Sequence, residues 1–274
     1  MSVREPFAGM IGRTAPESTP HWPAPRAAPV SAPNIVYVVL DDVGFSDLGC
    51  YSSEIATPTI DALAARGLRY TGFHTTALCS PTRASLLTGR NHHTVGMGAL
   101  SNWDTGYPGY RGHVSKDAAT IAELLKQQGW STFAVGKWHL APMAQTSAAG
   151  PYDYWPLQQG FERYYGFLDG ETNQHHPALT QDNSPLPVPD DPDYFLTVDL
   201  IDRAAAYVRD VTSVAPEKPF FLYLAFGAAH APHQAPADLI AKYESVFAKG
   251  WDRTRADRLE HQLAMGIVPD GTTL

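Results

Sequence analysis

Two kinds of hydrophobic pattern alternate along this chain. The first is the continuous β-branched or aromatic run: NIVYVVL over residues 34–40, WSTFAV over 130–135 and PFFLYLAF over 219–226. Such short runs without polar alternation mark strands buried on both faces. The second is the apolar residue that returns about every three or four positions. TPTIDALAARG, over 57–67, opens with Thr57 as a cap and Pro58 in the first turn, and it stops at Gly67. Ile60, Leu63 and Ala64 then share one face. DAATIAELLKQQG, over 117–129, is a second amphipathic helix with Ile121, Leu124 and Leu125 inward. Further helices are expected over 199–211 and at about 236–248 and 252–265, and a short strand at about 68–73.

Strands that alternate with helices predict an α/β fold, a mostly parallel sheet with helices on both faces. Residues 150–193 are rich in Pro, Tyr, Asp and Asn and read as a long excursion over one edge of the site. The repeated prolines of residues 1–33 read as a disordered, Pro/Ala-rich arm ahead of the folded unit, residues 34–274. No internal repeat is visible.

In open α/β sheets ligands bind outside the carboxyl ends of the strands. Asp41 and Asp42 follow the first run. Cys79 and Arg83 come soon after the segment 68–73, Lys137 and His139 follow 130–135, and His230 follows 219–226. One sheet edge thus collects two carboxylates, a thiol and four basic side chains, where chance would scatter them over both edges. Adjacent acids repel unless a positive group lies between them. A hard cation does this, and calcium or magnesium suits carboxylates better than zinc. Asp41 and Asp42 read equally well as a turn pair. With a helix starting near Pro81, its free N–H groups point at Cys79, where Arg83, one turn on, adds a further donor to any anion. On residue type alone Cys79 is a buried thiol, Lys137 a solvated strand end, and His139 and His230 core histidines.

Composition narrows the classes. The net charge is −8, which argues against non-specific nucleic-acid binding. Only two cysteines exist, Cys50 and Cys79, too few for a disulfide framework. No apolar run reaches the roughly 20 residues of a membrane span, and the first 30 residues lack a signal-type apolar core, so a cytoplasmic location with no membrane partner is expected.

CSPTRASLLTGR, starting at Cys79, resembles the type I sulfatase signature, Cys-x-Pro-x-Arg followed by Leu-Leu-Thr-Gly-Arg. The stretch 34–97 resembles the opening of a bacterial arylsulfatase, and VGKWHL, GFERYYGFLDGETNQ and FLYLAFGAAHAPHQAP resemble later blocks of the same family. The resemblance covers nearly everything after residue 33 and implies the alkaline-phosphatase/sulfatase-like fold. It implies that a maturing enzyme, the formylglycine-generating partner, oxidises Cys79 to formylglycine. One oxygen of the hydrated aldehyde would attack sulfur, and collapse to the aldehyde would expel sulfate. By the same resemblance Asp41, Asp42 and the modified Cys79 ligate calcium, Arg83 supports the hydroxylated residue, and Lys137 contacts a sulfate oxygen. His139 orients or deprotonates the diol, and His230 contacts the ester of a small sulfate-ester substrate. Trp103 and Tyr107 are candidates for an aryl pocket, while His92, His93, His175, His176 and His233 read as surface.

The pattern departs from the family late in the chain. The family's metal site adds an Asp-Asn pair after a further strand, and a second lysine. Asp182-Asn183 follows polar residues and precedes His230, and Asp270-Gly271 has neither asparagine nor strand. The calcium site therefore reads as half-built, and residues 34–274 as the N-terminal portion of a sulfatase catalytic domain, truncated at its C-terminal side. Two alternatives to sulfate-ester hydrolysis stay open: a phosphonate monoester or phosphodiester hydrolase of the same superfamily, and a fragment without catalytic function.

Overall fold

A computed structural model describes residues 6–24 and 26–274. The parts of the proposed arm at residues 1–5 and 25 lie outside the described residues. Six strands form one sheet in the order β1 (Ile35–Val39), β6 (Phe220–Ala225), β2 (Ser131–Lys137), β3 (Arg163–Phe167), β4 (Thr180–Gln181) and β5 (Ser184–Pro185). The first four run parallel, and β4 and β5 are antiparallel additions at one end. The expected α/β architecture is present.

Two apolar layers sandwich the sheet. On one face Ala134, Phe221, Tyr223 and Ala225 pack with Ala84 and Leu87 of α2 (Cys79–Thr88) and Ala122 of α3 (Ile121–Gln127). On the other, Phe133, Val135, Tyr165, Leu222 and Leu224 pack with Leu196, Leu200, Ala204 and Tyr207 of α4 (Leu196–Val214). The alternation of strand side chains assigns each residue to its layer. Ala28 and Ala32 also pack on the α2–α3 layer, so the arm's end is anchored to the core.

Several expectations change. β1 is not buried on both faces: Val36 and Val38, on the α4 side, are about half exposed because α4 lies over β6, β2 and β3. No strand forms at 68–73, where Leu68, Tyr70 and Phe73 are exposed and no neighbouring strand offers a ladder. Residues 150–193 are not simply an excursion, for they contain β3, an inner strand of the sheet. In α3, which begins at a full Thr120–Glu123 capping box, Ile121 and Leu125 pack inward while Leu124 faces out. α1 (Pro58–Arg66) buries no residue. α5 (Ala237–Phe247) and α6 (Trp251–Ala264) are where expected.

Close backbone approach explains two glycines. A Cβ on Gly136 would lie 1.8 Å from the Ala225 carbonyl oxygen, and one on Gly166 2.0 Å from that of Gly136. These residues sit opposite one another across β2 and β3, where only glycine fits.

Candidate active site

α2 begins at Cys79 itself rather than at Pro81, with Leu78 as an extended N-cap. The thiol therefore occupies the first helical position, beside the helix's unpaired N–H groups. The same turn buries Ser80, Pro81 and Arg83, which fixes the thiol's direction through packing.

Asp41 follows β1 and is 4 % exposed. Its backbone is pinned to the segment after β6: Asp41 N–H donates to the Ala228 carbonyl (3.3 Å), and Ala229 N–H donates to the Asp41 carbonyl (2.8 Å). Lys137, the last residue of β2, ion-pairs with Asp41 Oδ2, and Arg83 Nη2 lies 3.6 Å from Oδ1. Arg83 Nη1 also donates to the Lys137 carbonyl (2.9 Å) and the Tyr223 hydroxyl (3.0 Å). All three charged groups are buried, so two cations share one carboxylate. An excess of positive charge in a buried, low-dielectric setting favours a neighbouring anion.

His139 stands beside this cluster, 3 % exposed and with a left-handed φ of 53°. Its Nδ1 lies 3.1 Å from Cys79 Sγ, and its Nε2 2.9 Å from Asn102 Oδ1. Burial first, then the charges of Lys137 and Arg83, with a smaller effect from His230, push its imidazole down to about 3 from 6.5. It is therefore neutral at ordinary pH, the state in which a ring nitrogen accepts a proton.

The remaining candidates lie further out. Asp42 has a left-handed φ of 54° and a side chain 65 % exposed. Its Oδ2 is 3.8 Å from His230 Nε2, and Glu171 Oε2 lies 3.9 Å from His230 Nδ1. His230 Nδ1 is also 2.8 Å from the Ala231 carbonyl. Trp103 and Tyr107 are largely exposed. His92 and His175 are each held to a main-chain carbonyl, of Met97 and Tyr194 respectively. Cys50 and Cys79 are free thiols.

The structure thus gathers Asp41, Cys79, Arg83, Lys137 and His139, and leaves Asp42 and His230 on an open rim. The oxygens of Asp41 and Asp42 have the chemistry for calcium, but the present donor set does not complete a site. Asp41 is held by two cations, and among the described residues no three His, Cys, Asp or Glu side chains converge as metal ligands. Sequence reasoning missed Asn102, Glu171 and Tyr223. Tyr223 sits inside an apolar run where a polar tip needs a partner, which was the available signal; Asn102 and Glu171 lie in loops without a periodic pattern.

The family model described as Sulfatase matches residues 33–266. An uncharacterized sulfatase of Schizosaccharomyces pombe is 33% identical over 268 residues, covering 89% of this chain and 46% of that protein. An arylsulfatase of Klebsiella aerogenes is 30% identical, covering 91% of this chain and 54% of that one. The chain therefore spans about half the length of these relatives. Among solved structures, Ps i-CgsB in complex with k-i-k-neocarrahexaose superposes with a TM-score of 0.63 at 28% identity, over 86% of this chain and 53% of that one. The putative sulfatase yidJ from Bacteroides fragilis, at 22% identity, shares the fold with a TM-score of 0.65, over 82% of this chain and 50% of that one.

Proposed function

The chain belongs to the sulfatase family, and from that premise we propose that it serves the hydrolysis of sulfate esters, with residue 79 as the nucleophile position. One observation carries the reading: the first residue of α2 is a cysteine whose Sγ lies 3.1 Å from Nδ1 of a buried imidazole, near the buried Lys137 and Arg83. A neutral base 3.1 Å away accepts a proton from the group at 79. Lys137 and Arg83 hold positive charge that suits the anionic sulfate group of such an ester. Tyr223 and the Lys137 carbonyl keep the Arg83 fork in place for that task. His230, on the rim with Asp42 and Glu171 beside it, would contact the ester side of a bound substrate.

The position of Cys79 in Cys-Ser-Pro-Thr-Arg suits conversion to formylglycine by a maturing enzyme. When formed, that residue supplies a hydrated aldehyde in place of the thiol. Calcium belongs to the same expectation, with Asp41 and Asp42 as the oxygen donors at hand. Two carboxylates fall short of the roughly six to eight oxygens calcium takes.

Two arms test the reading. The protein is produced with a formylglycine-generating enzyme and assayed with calcium on an aryl sulfate and an aryl phosphonate. Preferential sulfate hydrolysis, lost in Cys79→Ala, is the expected result. Preferential phosphonate hydrolysis supports the phosphonate and phosphodiester reading instead. The fragment reading is favoured by the incomplete donor set and the uncovered β1, and no turnover of either ester by matured protein supports it.

A further inference from the structure

Five side chains and one backbone N–H close a circuit around Cys79. Ser80, the next residue in α2 and fully buried, accepts at its Oγ from Ser101 N–H (3.2 Å). Ser101, 2 % exposed, donates its hydroxyl to Asn102 Oδ1 (3.3 Å). Asn102 Oδ1 lies 2.9 Å from His139 Nε2, and His139 Nδ1 returns to Cys79 Sγ at 3.1 Å. An amide oxygen carries no proton, so both neighbours of Asn102 Oδ1 must donate to it. One is the Ser101 hydroxyl, and the other is the His139 Nε2–H. A neutral imidazole has a single N–H, so Nδ1 is left with its lone pair aimed at residue 79.

We propose that Asn102 is a positioning residue that fixes the tautomer of His139, holding Nδ1 as the acceptor toward residue 79. The value of this for hydrolysis rests on the reading of residue 79 given above, but the tautomer itself does not. The ring is held independently of Asn102. His139 N–H donates to the Leu168 carbonyl at 3.0 Å, and a Cβ on Gly170 would lie 2.7 Å from Cε1 and 2.8 Å from Nε2. The imidazole is thus walled on one flank by Gly170 and cannot swing far when Asn102 is removed. Loss of Asn102 leaves the ring in place and its proton unassigned. Asn102 is itself exposed, so its replacement removes little packing.

Nitrogen-15 NMR of histidine-labelled protein reads the two ring nitrogens directly. The unmodified chain is expected to show His139 as the Nε2–H tautomer alone. Asn102→Ala is expected to add the Nδ1–H tautomer, and to slow alkylation of Cys79 by iodoacetamide several-fold, with Cys50 distinguished by peptide mass. Asn102→Asp, which keeps an acceptor at the same place, restores both. A wild-type His139 protonated at Nδ1 overturns the proposal without any variant, and so does an unchanged tautomer and alkylation rate in Asn102→Ala. These readouts need no ester hydrolysis. If they move as expected while matured protein hydrolyses no sulfate ester, the positioning role stands and the functional reading falls.

Discussion

The two halves of the carboxyl edge are built to different standards. In the buried half, Asp41, Arg83, Lys137 and His139 are each under 5 % exposed and are tied to one another, to Tyr223 or to Cys79. In the open half, Asp42 and Glu171 have side chains 65 and 64 % exposed, and they approach His230 only at 3.8 and 3.9 Å. Among the described residues β1 has no strand on its outer edge, and Val36 and Val38 are about half exposed. The difference shows that the surroundings of residue 79 are set by core packing of this chain. The other half of the rim is more exposed and meets at longer distances, so fewer buried neighbours fix its side chains.

The contrast breaks most sharply at the paired aspartates. Asp41→Ala strands two buried cations and is expected to cost about 3–5 kcal/mol, while Asp42→Asn, which tolerates the left-handed backbone there, stays within about 0.5 kcal/mol. Denaturant unfolding of both variants checks this, and equal losses would erase the distinction between the halves. The next effect is on pH dependence. His139 is held neutral in the fold, so the unfolded chain binds the proton first as pH falls. Stability therefore drops with falling pH between about 6.5 and about 3, with a slope of at most about 1.4 kcal/mol per unit. His139→Gln is expected to flatten that limb, and an unchanged slope argues against burial of the neutral ring.

The closed half also rests on backbone contact. Gly136→Ala sets a methyl against the Ala225 carbonyl and is expected to cost about 1–3 kcal/mol, read as a lowered midpoint of unfolding. The smallest effect is at a contact outside the site, where Arg258 on α6 bonds Asp47 (2.6 Å) and Glu54 (2.7 Å). Burial works to raise the Glu54 carboxyl, but its bonds to Arg258 and the main chain, with the nearby charges, hold it below the usual range. The stability this pair adds is present above the ordinary carboxyl range and is lost as pH falls through the folded value. Being partly solvated, the contact is worth about 1 kcal/mol or less, measured as Arg258→Ala at neutral pH.

The strands that dominate the sheet were legible because β1, β2 and β6 are continuous apolar runs, and reading their ends located Asp41, Lys137, His139 and His230. β3 was not legible. Its RYYGF carries an arginine, two tyrosines and a glycine, and that glycine makes sense only against Gly136 in the next strand. Residues 68–73 have the composition of a strand yet stay unpaired, because strand formation depends on a neighbour that local sequence does not reveal. The openness of β1 was hidden for the same reason, since an apolar run says that a face is greasy and not what covers it. Asn102, Ser101 and Gly170 act through hydrogen bonds and close approach formed only on folding.

The most direct measurement of the central claim is the mass of the peptide from Ala77 to Arg90 in matured protein, taken beside its rate on an aryl sulfate. The account predicts that residue 79 has exchanged its thiol for an aldehyde, that turnover rises with the modified fraction, and that Cys79→Ala removes it. Sulfate-ester turnover by protein whose Cys79 remains an unaltered thiol would contradict it.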